Sequence, residues 1–366
     1  MTFMQEGWEQ MDGVAKLVRY HRRLTGLSPL QKLYYIVNVL YGEIFRTRSI
    51  GPFGLRLVEI SLTDRCQCRC VHCYAATRKP VAAQDELTTQ EIFELLGQMA
   101  AMRISEVCFS GGEPLLRKDI VDLVKYARWK GVLPKINTNG ILLTESLVLK
   151  LKEAGLAWCL VSIDSAQPSQ HDALRKYIGC YSKAVEGLRR LVRYGIPASI
   201  VTYARKDSIY NGNLAEIVAL GHELRVDTVR VLFPVPMGRF EDAYKEMLTL
   251  EEREEVRKLL KDPIVTMECP REITRCTAGV TKLNIMTNGD VTPCVFIPLP
   301  FGNVRQESLR EIWEAMAEFA CLGKPRGQCP MSAPAFRGRL LSQGIGMPTP
   351  INRGSFEKID SRGGLR

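Results

Sequence analysis

The sequence predicts an α/β protein: a partial (β/α)6 barrel of the TIM type, followed by a small α+β unit. Three observations predict it. From residue 55 onward short apolar runs alternate with helical periods. Most of the runs lack strict polar alternation, as strands of a parallel sheet buried on both faces do. Six such units fit into about 185 residues, where a closed eight-unit barrel takes about 250. The 366 residues are 46% hydrophobic and 25% charged, the balance of an ordinary soluble domain, and a chain of this length buries a core without disulfide staples.

The elements follow in order. Residues 1–52 read as an amphipathic helical extension, with Leu33, Ile36, Val37 and Leu40 at helical spacing. It suits a flap on the main domain, with a membrane-surface or partner-binding helix as the alternative. Residues 53–262 form the barrel. Its strands are expected at "LVEISLT", "ISEVCFS", "LPKINTN", "WCLVSID", "ASIVTYA" and "TVRVLFP". The helices between them are marked by their ends. Thr88 and Glu91 are spaced as a capping box, as are Asn213 and Glu216, and Gly155 and Gly195 suit left-handed C-terminal caps. Ile92, Leu95, Leu96 and Met99 form one apolar stripe, and Ile120, Leu123, Val124 and Ala127 another. Residues 263–340 read as the smaller unit, with a hairpin turning at Asn288-Gly289 and a helix in "SLREIWEAMAEFA". Residues 341–366, rich in Gly, Pro and Arg, have little to bury and read as a flexible tail.

Met1 to Gly13 has no apolar segment of a secretory signal, and the longest apolar stretch falls far short of the roughly 20 residues of a membrane span. A cytoplasmic chain without a transmembrane segment is expected. Its net charge of +10 suits acidic partners, but the positive residues are scattered apart from Lys16, Arg19, Arg22 and Arg23, so nucleic-acid binding is not expected. Twelve cysteines in a reducing compartment point first to metal.

Three of these, Cys66, Cys70 and Cys73, are spaced C-x3-C-x2-C directly after the first strand. This places them on the face where βα loops of such barrels hold reactive groups. Three thiolates on one loop can hold three irons of a [4Fe–4S] cube and leave the fourth iron open to a small molecule. Zinc is the competing reading. It prefers four ligands, usually in two separated pairs, and recruiting Cys68 would make a cramped clasp. Cys108, Cys159 and Cys180 read as small buried residues.

The spacing, with Tyr74 after it, resembles the radical S-adenosylmethionine (SAM) enzymes. "SGGEP" (Ser110 to Pro114), "NTNG" (Asn137 to Gly140) and "SIDS" (Ser162 to Ser165), each at the end of a strand run, extend the resemblance over about residues 55–325. The resemblance implies that a [4Fe–4S] cluster on Cys66, Cys70 and Cys73 chelates SAM. An electron then cleaves a carbon–sulfur bond, and the 5′-deoxyadenosyl radical so released abstracts hydrogen from substrate. It implies an external electron donor of the flavodoxin or ferredoxin type. Gly111 and Gly112 would let the backbone approach the methionyl amine, Glu113 would face that ammonium, and Pro114 would fix the turn. Asn139 and Ser162 stand where polar groups could meet the ribose and methionyl ends, a structural role being the alternative. Arg175 either meets the SAM carboxylate or sits on a solvated helix, the second being favoured. Cys68 is left unligated, and no other catalytic residue is assigned.

Cys276 and Cys294 flank the predicted hairpin in a C-x(9–15)-G-x4-C pattern. With "FGNVRQESLREIW" after it, this resembles the SPASM and twitch domains that hold auxiliary iron–sulfur clusters. The resemblance implies one auxiliary cluster, of the [4Fe–4S] type, on Cys276, Cys294 and Cys329, with Cys269 or Cys321 as the fourth ligand. "CPMSAPAFRGR" lacks the further cysteines that a second cluster would need, and zinc or plain reduced thiols are the alternatives. Enzymes of this build modify ribosomally made peptides or proteins, which is the first expectation here. Oxidation of a tetrapyrrole side chain or of a small molecule is the second. A non-catalytic cluster scaffold or electron carrier is a reading of another class, and "GGEP" argues against it. A basic chain suits an acidic leader peptide or a propionate-bearing tetrapyrrole.

Overall fold

In a computed structural model the chain is described over residues 54–77, 81–240, 246–267, 277–297 and 299–317, with Pro29, Lys32, Cys329, Met331 and Gly338 as single positions. The predicted extension, the predicted tail and Cys269, Cys276 and Cys321 lie outside the described residues. The six predicted strands are present as β1 (Leu57–Ser61), β2 (Glu106–Ser110), β3 (Leu133–Thr138), β4 (Trp158–Ser162), β5 (Ala198–Tyr203) and β6 (Thr228–Leu232). Each pairs in parallel with the next. They form an open α/β sheet, the partial barrel that the unit count requires.

The helices return the chain across the outer face. They are α1 (Thr89–Ala101), α2 (Ile120–Trp129), α3 (Glu145–Glu153), α4 (Pro168–Arg175), α5 (Cys180–Arg193), α6 (Lys206–Tyr210) and α7 (Asn213–Glu223). Both predicted stripes are buried, and the Thr88–Glu91 box is formed in full. Gly155 and Gly195 take positive φ, +85° and +71°, after α3 and α5. The second box is not formed. Gly212, at φ +82°, caps α7, and Asn213 is its first helical residue. The Asn213 side chain instead accepts from Ser165 Oγ and Ala166 N and donates to the Asp164 carbonyl. The pattern N-x-x-E marks a box only when the backbone enters the helix after the asparagine; here a glycine enters first.

The stretch after α8 (Leu250–Arg257) extends the same sheet at both ends. β7 (Val265–Met267) adds in parallel to β6. β8 (Lys282–Ile285) pairs in parallel with β1, and β9 (Asp290–Thr292) and β10 (Gly302–Asn303) continue antiparallel. The order is β10-β9-β8-β1-β2-β3-β4-β5-β6-β7. Gly289 turns the β8–β9 hairpin at φ +91°. α9 (Leu309–Ala317) lays Leu309, Ile312, Trp313 and Met316 into the common core. Arg305 ties this region to the first turn of α1, through the Glu91 carboxylate, and to the loop before it, through the carbonyls of Asp85 and Glu86. Parallel pairing puts the C-terminal ends of β1 to β6 on one rim, and the βα loops gather there.

Candidate functional site

The loop after β1 is built to be held from every side. Thr63 donates to Glu86 Oε1 at 2.6 Å, and the same oxygen accepts from Asp64 N. Asp64 Oδ2 accepts from Val81 N and Thr287 Oγ1. The next loop, "GGEP", lies directly against it: Gly112 N donates to Thr63 O at 2.6 Å and Glu113 N to Arg65 O at 2.9 Å. A Cβ on Gly111 would stand 2.5 Å from Thr63 O, and one on Gly112 2.3 Å from Arg65 O. These contacts are with backbone and cannot yield cheaply. Both positions therefore require glycine for a reason that the motif alone does not show: two βα loops close on each other with no room for a side chain.

From the far side, Gly238, at φ +66°, packs on Cys73. Arg239 N donates to Cys73 O at 3.0 Å and its guanidinium to Cys70 O at 2.9 Å. From α4, the Arg175 and Leu174 carbonyls accept from Arg69 N and Val71 N. The three spaced thiols are thus fixed from β2, β6 and α4 together. Cys66 is exposed, Cys73 is half-buried and Cys70 is buried. Asn139 Nδ2 points to Cys66 Sγ at 3.9 Å, and Arg175 donates to Cys70 Sγ at 3.5 Å. Cys68 lies in a buried group with Cys70 and Cys180, against which Cys73 also packs. Its thiol hydrogen bond lowers Cys66, and it is the first cause of Cys70 standing near 5, where Arg175 and His72 also act against burial. Burial raises Cys73.

The remaining predicted residues fall on the same rim. Glu113 is fully buried. Oε1 accepts from Leu115 N and Thr138 Oγ1, and Oε2 from Asn139 N at 2.8 Å. Burial pushes its carboxyl up to about 7 against the pull of those donors. Glu113 therefore orients the "NTNG" loop, and Pro114 opens the short turn after it. Asn139 Oδ1 accepts from Ile141 N, which leaves its amide nitrogen toward Cys66. Ser162 ends β4, half-buried.

Arg175, whose solvated reading the structure overturns, completes the site together with Asp164 and His72. Arg175 is not on a solvated face: only 9% of it is exposed, and its Nε lies 2.7 Å from Asp164 Oδ2. His72 lies 3.4 Å from the same oxygen and stacks on Tyr203, the ring centroids 5.2 Å apart. Burial would raise Asp164, but Arg175, His72 and His171 hold it at about 2. The signal that could have found this group was its spacing. Asp164 lies inside the quoted "SIDS", and Arg175, 11 residues on, is the last residue of α4, the helix that follows that loop.

Whether these residues fit an iron–sulfur cluster is decided by their chemistry. Three thiolate donors on one loop are the soft set that such clusters use. They are backed by two nitrogen donors aimed at sulfur, one from Asn139 and one from Arg175. Among the described residues no three His, Cys, Asp or Glu side chains converge on the position of one ion, and a cluster held by separate corners does not need them to. The residues fit.

A second set of thiols sits beside the first. Cys294 and Cys329 pack on a small apolar group of Val235, Met237, Ala278, Ile297, Leu299 and Met331. Tyr74, next to Cys73, meets Phe296 edge to face at 5.8 Å. The loop after β6 and the C-terminal hairpin thus share one apolar seam with the cysteine loop.

Residues 60–207 match the Radical SAM superfamily. An AdoMet-dependent heme synthase of Methanosarcina barkeri is 30% identical over 307 residues, 75% of this chain and 87% of that one. The chain belongs to the radical SAM superfamily. Like its relatives it is an enzyme. A PqqA peptide cyclase of Xanthomonas axonopodis pv. citri is 27% identical over 328 residues, 79% of this chain and 86% of that one. The crystal structure of Streptococcus suis SuiB bound to S-adenosylmethionine superposes with a TM-score of 0.61 at 18% identity, over 80% of this chain and 73% of that one. The partial barrel is therefore the radical SAM fold. Residues 276–331 match an iron–sulfur cluster-binding domain, SPASM. That span begins at Cys276 and includes Cys294, Cys321 and Cys329. In this radical SAM chain it is built onto the edge of β1, the strand that delivers the cysteine loop. No helix among the described residues is long and apolar enough to cross a membrane.

Proposed function

We propose that the chain binds a [4Fe–4S] cluster on Cys66, Cys70 and Cys73 and cleaves SAM reductively. The observation that carries this reading is the closure of the cysteine loop on "GGEP", with Gly111 and Gly112 admitting no side chain. When bound, the cluster and SAM supply a 5′-deoxyadenosyl radical that abstracts hydrogen from substrate. The chain's own residues do the rest. Thr63, Gly112 and Glu113 hold the loop, Glu113 sets the "NTNG" loop, and Asn139, at the rim, presents its amide to Cys66. Ser162 and Asn139 are the polar side chains placed to meet SAM. The division at residues 53–262 and 263–340 is retained as a functional one, with one auxiliary cluster on Cys276, Cys294, Cys329 and either Cys269 or Cys321. The electron donor is a flavodoxin or ferredoxin, and the enzyme works in the cytoplasm.

The substrate reading is modification of a ribosomally made peptide or protein, supported by the match to a PqqA peptide cyclase over 328 residues. The second reading, oxidation of a propionate-bearing tetrapyrrole, is supported by the higher identity to a heme synthase. Anaerobic protein with its clusters reconstituted, reduced with dithionite in the presence of SAM, should yield 5′-deoxyadenosine. The Cys66→Ala, Cys70→Ala, Cys73→Ala triple variant should lose about four irons and all of that product. Cleavage retained in the triple variant overturns the site assignment. Product absent from cluster-replete wild type leaves the electron-carrier reading. Faster 5′-deoxyadenosine release on adding an iron porphyrin with propionate side chains decides for the tetrapyrrole.

A further inference from the structure

Arg175 is the buried cation that the expected chemistry does not use. Burying a guanidinium is costly unless it is paired and hydrogen-bonded. Here one carboxylate pairs it: Nε lies 2.7 Å from Asp164 Oδ2. Its NH1 donates to Cys70 Sγ at 3.5 Å, and its carbonyl accepts from Arg69 N inside the cysteine loop. Asp164 is itself fixed from behind. Its carbonyl accepts from Asn213 Nδ2 at 3.1 Å and from Arg205 NH1 at 3.4 Å, and its N–H donates to His171 Nδ1 at 3.1 Å. The guanidinium is therefore committed on both sides, to a buried carboxylate whose backbone is held in place and to a sulfur that ligates iron on the reading above.

We propose that Arg175, oriented by Asp164, is a positioning residue for the SAM-binding cluster that sets its reduction potential through the hydrogen bond to Cys70. The inference rests on the cluster assignment made above. Hydrogen bonds to ligand sulfurs and nearby charge are what set the potentials of such clusters. A cation fixed on a thiolate stabilises the reduced cluster, which carries one more negative charge, and burial strengthens the effect. Asp164 opposes it: its negative charge lies one guanidinium away from Cys70 and favours the oxidised cluster. The pair thus gives two perturbations of opposite sign at one site.

The test uses the full chain with clusters reconstituted anaerobically, wild type and variants, each with iron counted. Reduction is followed by electron paramagnetic resonance under controlled potential. The signal that changes on adding SAM identifies the cluster with the open iron. Arg175→Gln should lower the potential, cutting the reduced-to-oxidised ratio at a fixed poise about tenfold, which is 59 mV for one electron. Asp164→Asn should raise it. A merely structural loosening of the loop would move both variants the same way, and that outcome overturns the proposal. So does an unchanged potential in Arg175→Gln with weakened SAM binding, since it would place the guanidinium on the SAM carboxylate instead. Should Arg175→Gln fail to hold iron, Arg175→Lys takes its place. It keeps the charge without the planar fork and should lower the potential by less, and a wild-type value there, with Asp164→Asn also unchanged, overturns the proposal. Loss of the cluster from wild type itself would instead sink the assignment of Cys66, Cys70 and Cys73, a result distinct from any of these.

Discussion

Gly238→Ala tests whether the cysteine loop is positioned from outside itself. A Cβ at residue 238 would lie 1.9 Å from Cys73 O, 2.6 Å from Tyr74 Cα and 2.8 Å from Cys73 C, all backbone atoms. Ordinary contact begins near 3.4 Å, so the two segments must part by roughly 1.5 Å, and overpacking of this kind costs about 1–3 kcal/mol. The backbone adds to this. At φ +66° a side chain costs about 1 kcal/mol more. The fold absorbs a loss of that size more easily than the site does, because ligand sets tolerate errors of only about 0.5 Å. Arg239 passes the displacement on, since it holds the carbonyls of both Cys73 and Cys70. The assay is iron content and 5′-deoxyadenosine yield after anaerobic reconstitution, beside thermal unfolding. Gly195→Ala is the control: it has φ +71° and open space where the Cβ would go, so it carries the backbone penalty without the clash. Gly238→Ala should lose most of the SAM-site iron while remaining folded, and Gly195→Ala should keep it. Equal iron in the two variants would refute the argument that β6's loop sets the position of Cys73.

Three further outcomes follow from particular contacts. Glu113 has its carboxyl raised from 4.5 to about 7 by burial. Its contribution to apo-protein stability is therefore fully present below pH 4.5 and lost as pH rises through 7, by about 3 kcal/mol in all; urea unfolding of Glu113→Gln should show this part of the pH slope removed. Asn213→Ala strips partners from the Asp164 carbonyl, Ser165 Oγ and Ala166 N and should cost about 2 kcal/mol in the same assay, with an unchanged midpoint counting against a load on that side chain. Replacing Cys276, Cys294 and Cys329 together by Ala should remove about half of eight irons and leave SAM cleavage without substrate intact; iron analysis and product assay read both.

The strands were legible because each is a short apolar run whose neighbours on both faces are buried, and no competing period crosses them. The cysteine loop was legible for the opposite reason: C-x3-C-x2-C follows neither a strand nor a helix period, so its chemistry stands out from its packing. What was not legible is what depends on distance through space. The motif suggests that Gly111 and Gly112 give a ligand room, and it does not show that the atoms a Cβ would strike belong to Thr63 and Arg65, about 50 residues earlier in the chain. Asn213 has the spacing of a helix cap but serves the "SIDS" loop, because Gly212 takes the capping position first. Arg175 is a charged residue beside Lys176 on a short helix, which favours solvent in a sequence reading, while the fold turns it inward onto Asp164.

The same limit bears on the C-terminal segment. Its composition separates it from the barrel, and the sequence reading treated it as a small unit of its own. Backbone pairing does not respect composition: β8 runs in parallel beside β1 over Leu57 to Ile60. β1 ends at Ser61, five residues before Cys66, and Phe296, in the connection from β9 to β10, meets Tyr74, one residue beyond Cys73. The segment that carries the second thiols therefore braces both ends of the loop that carries the first. A change in that segment reaches Cys66, Cys70 and Cys73 by two routes, along a strand and across an aromatic contact, neither of which requires an electron to pass between the two sets.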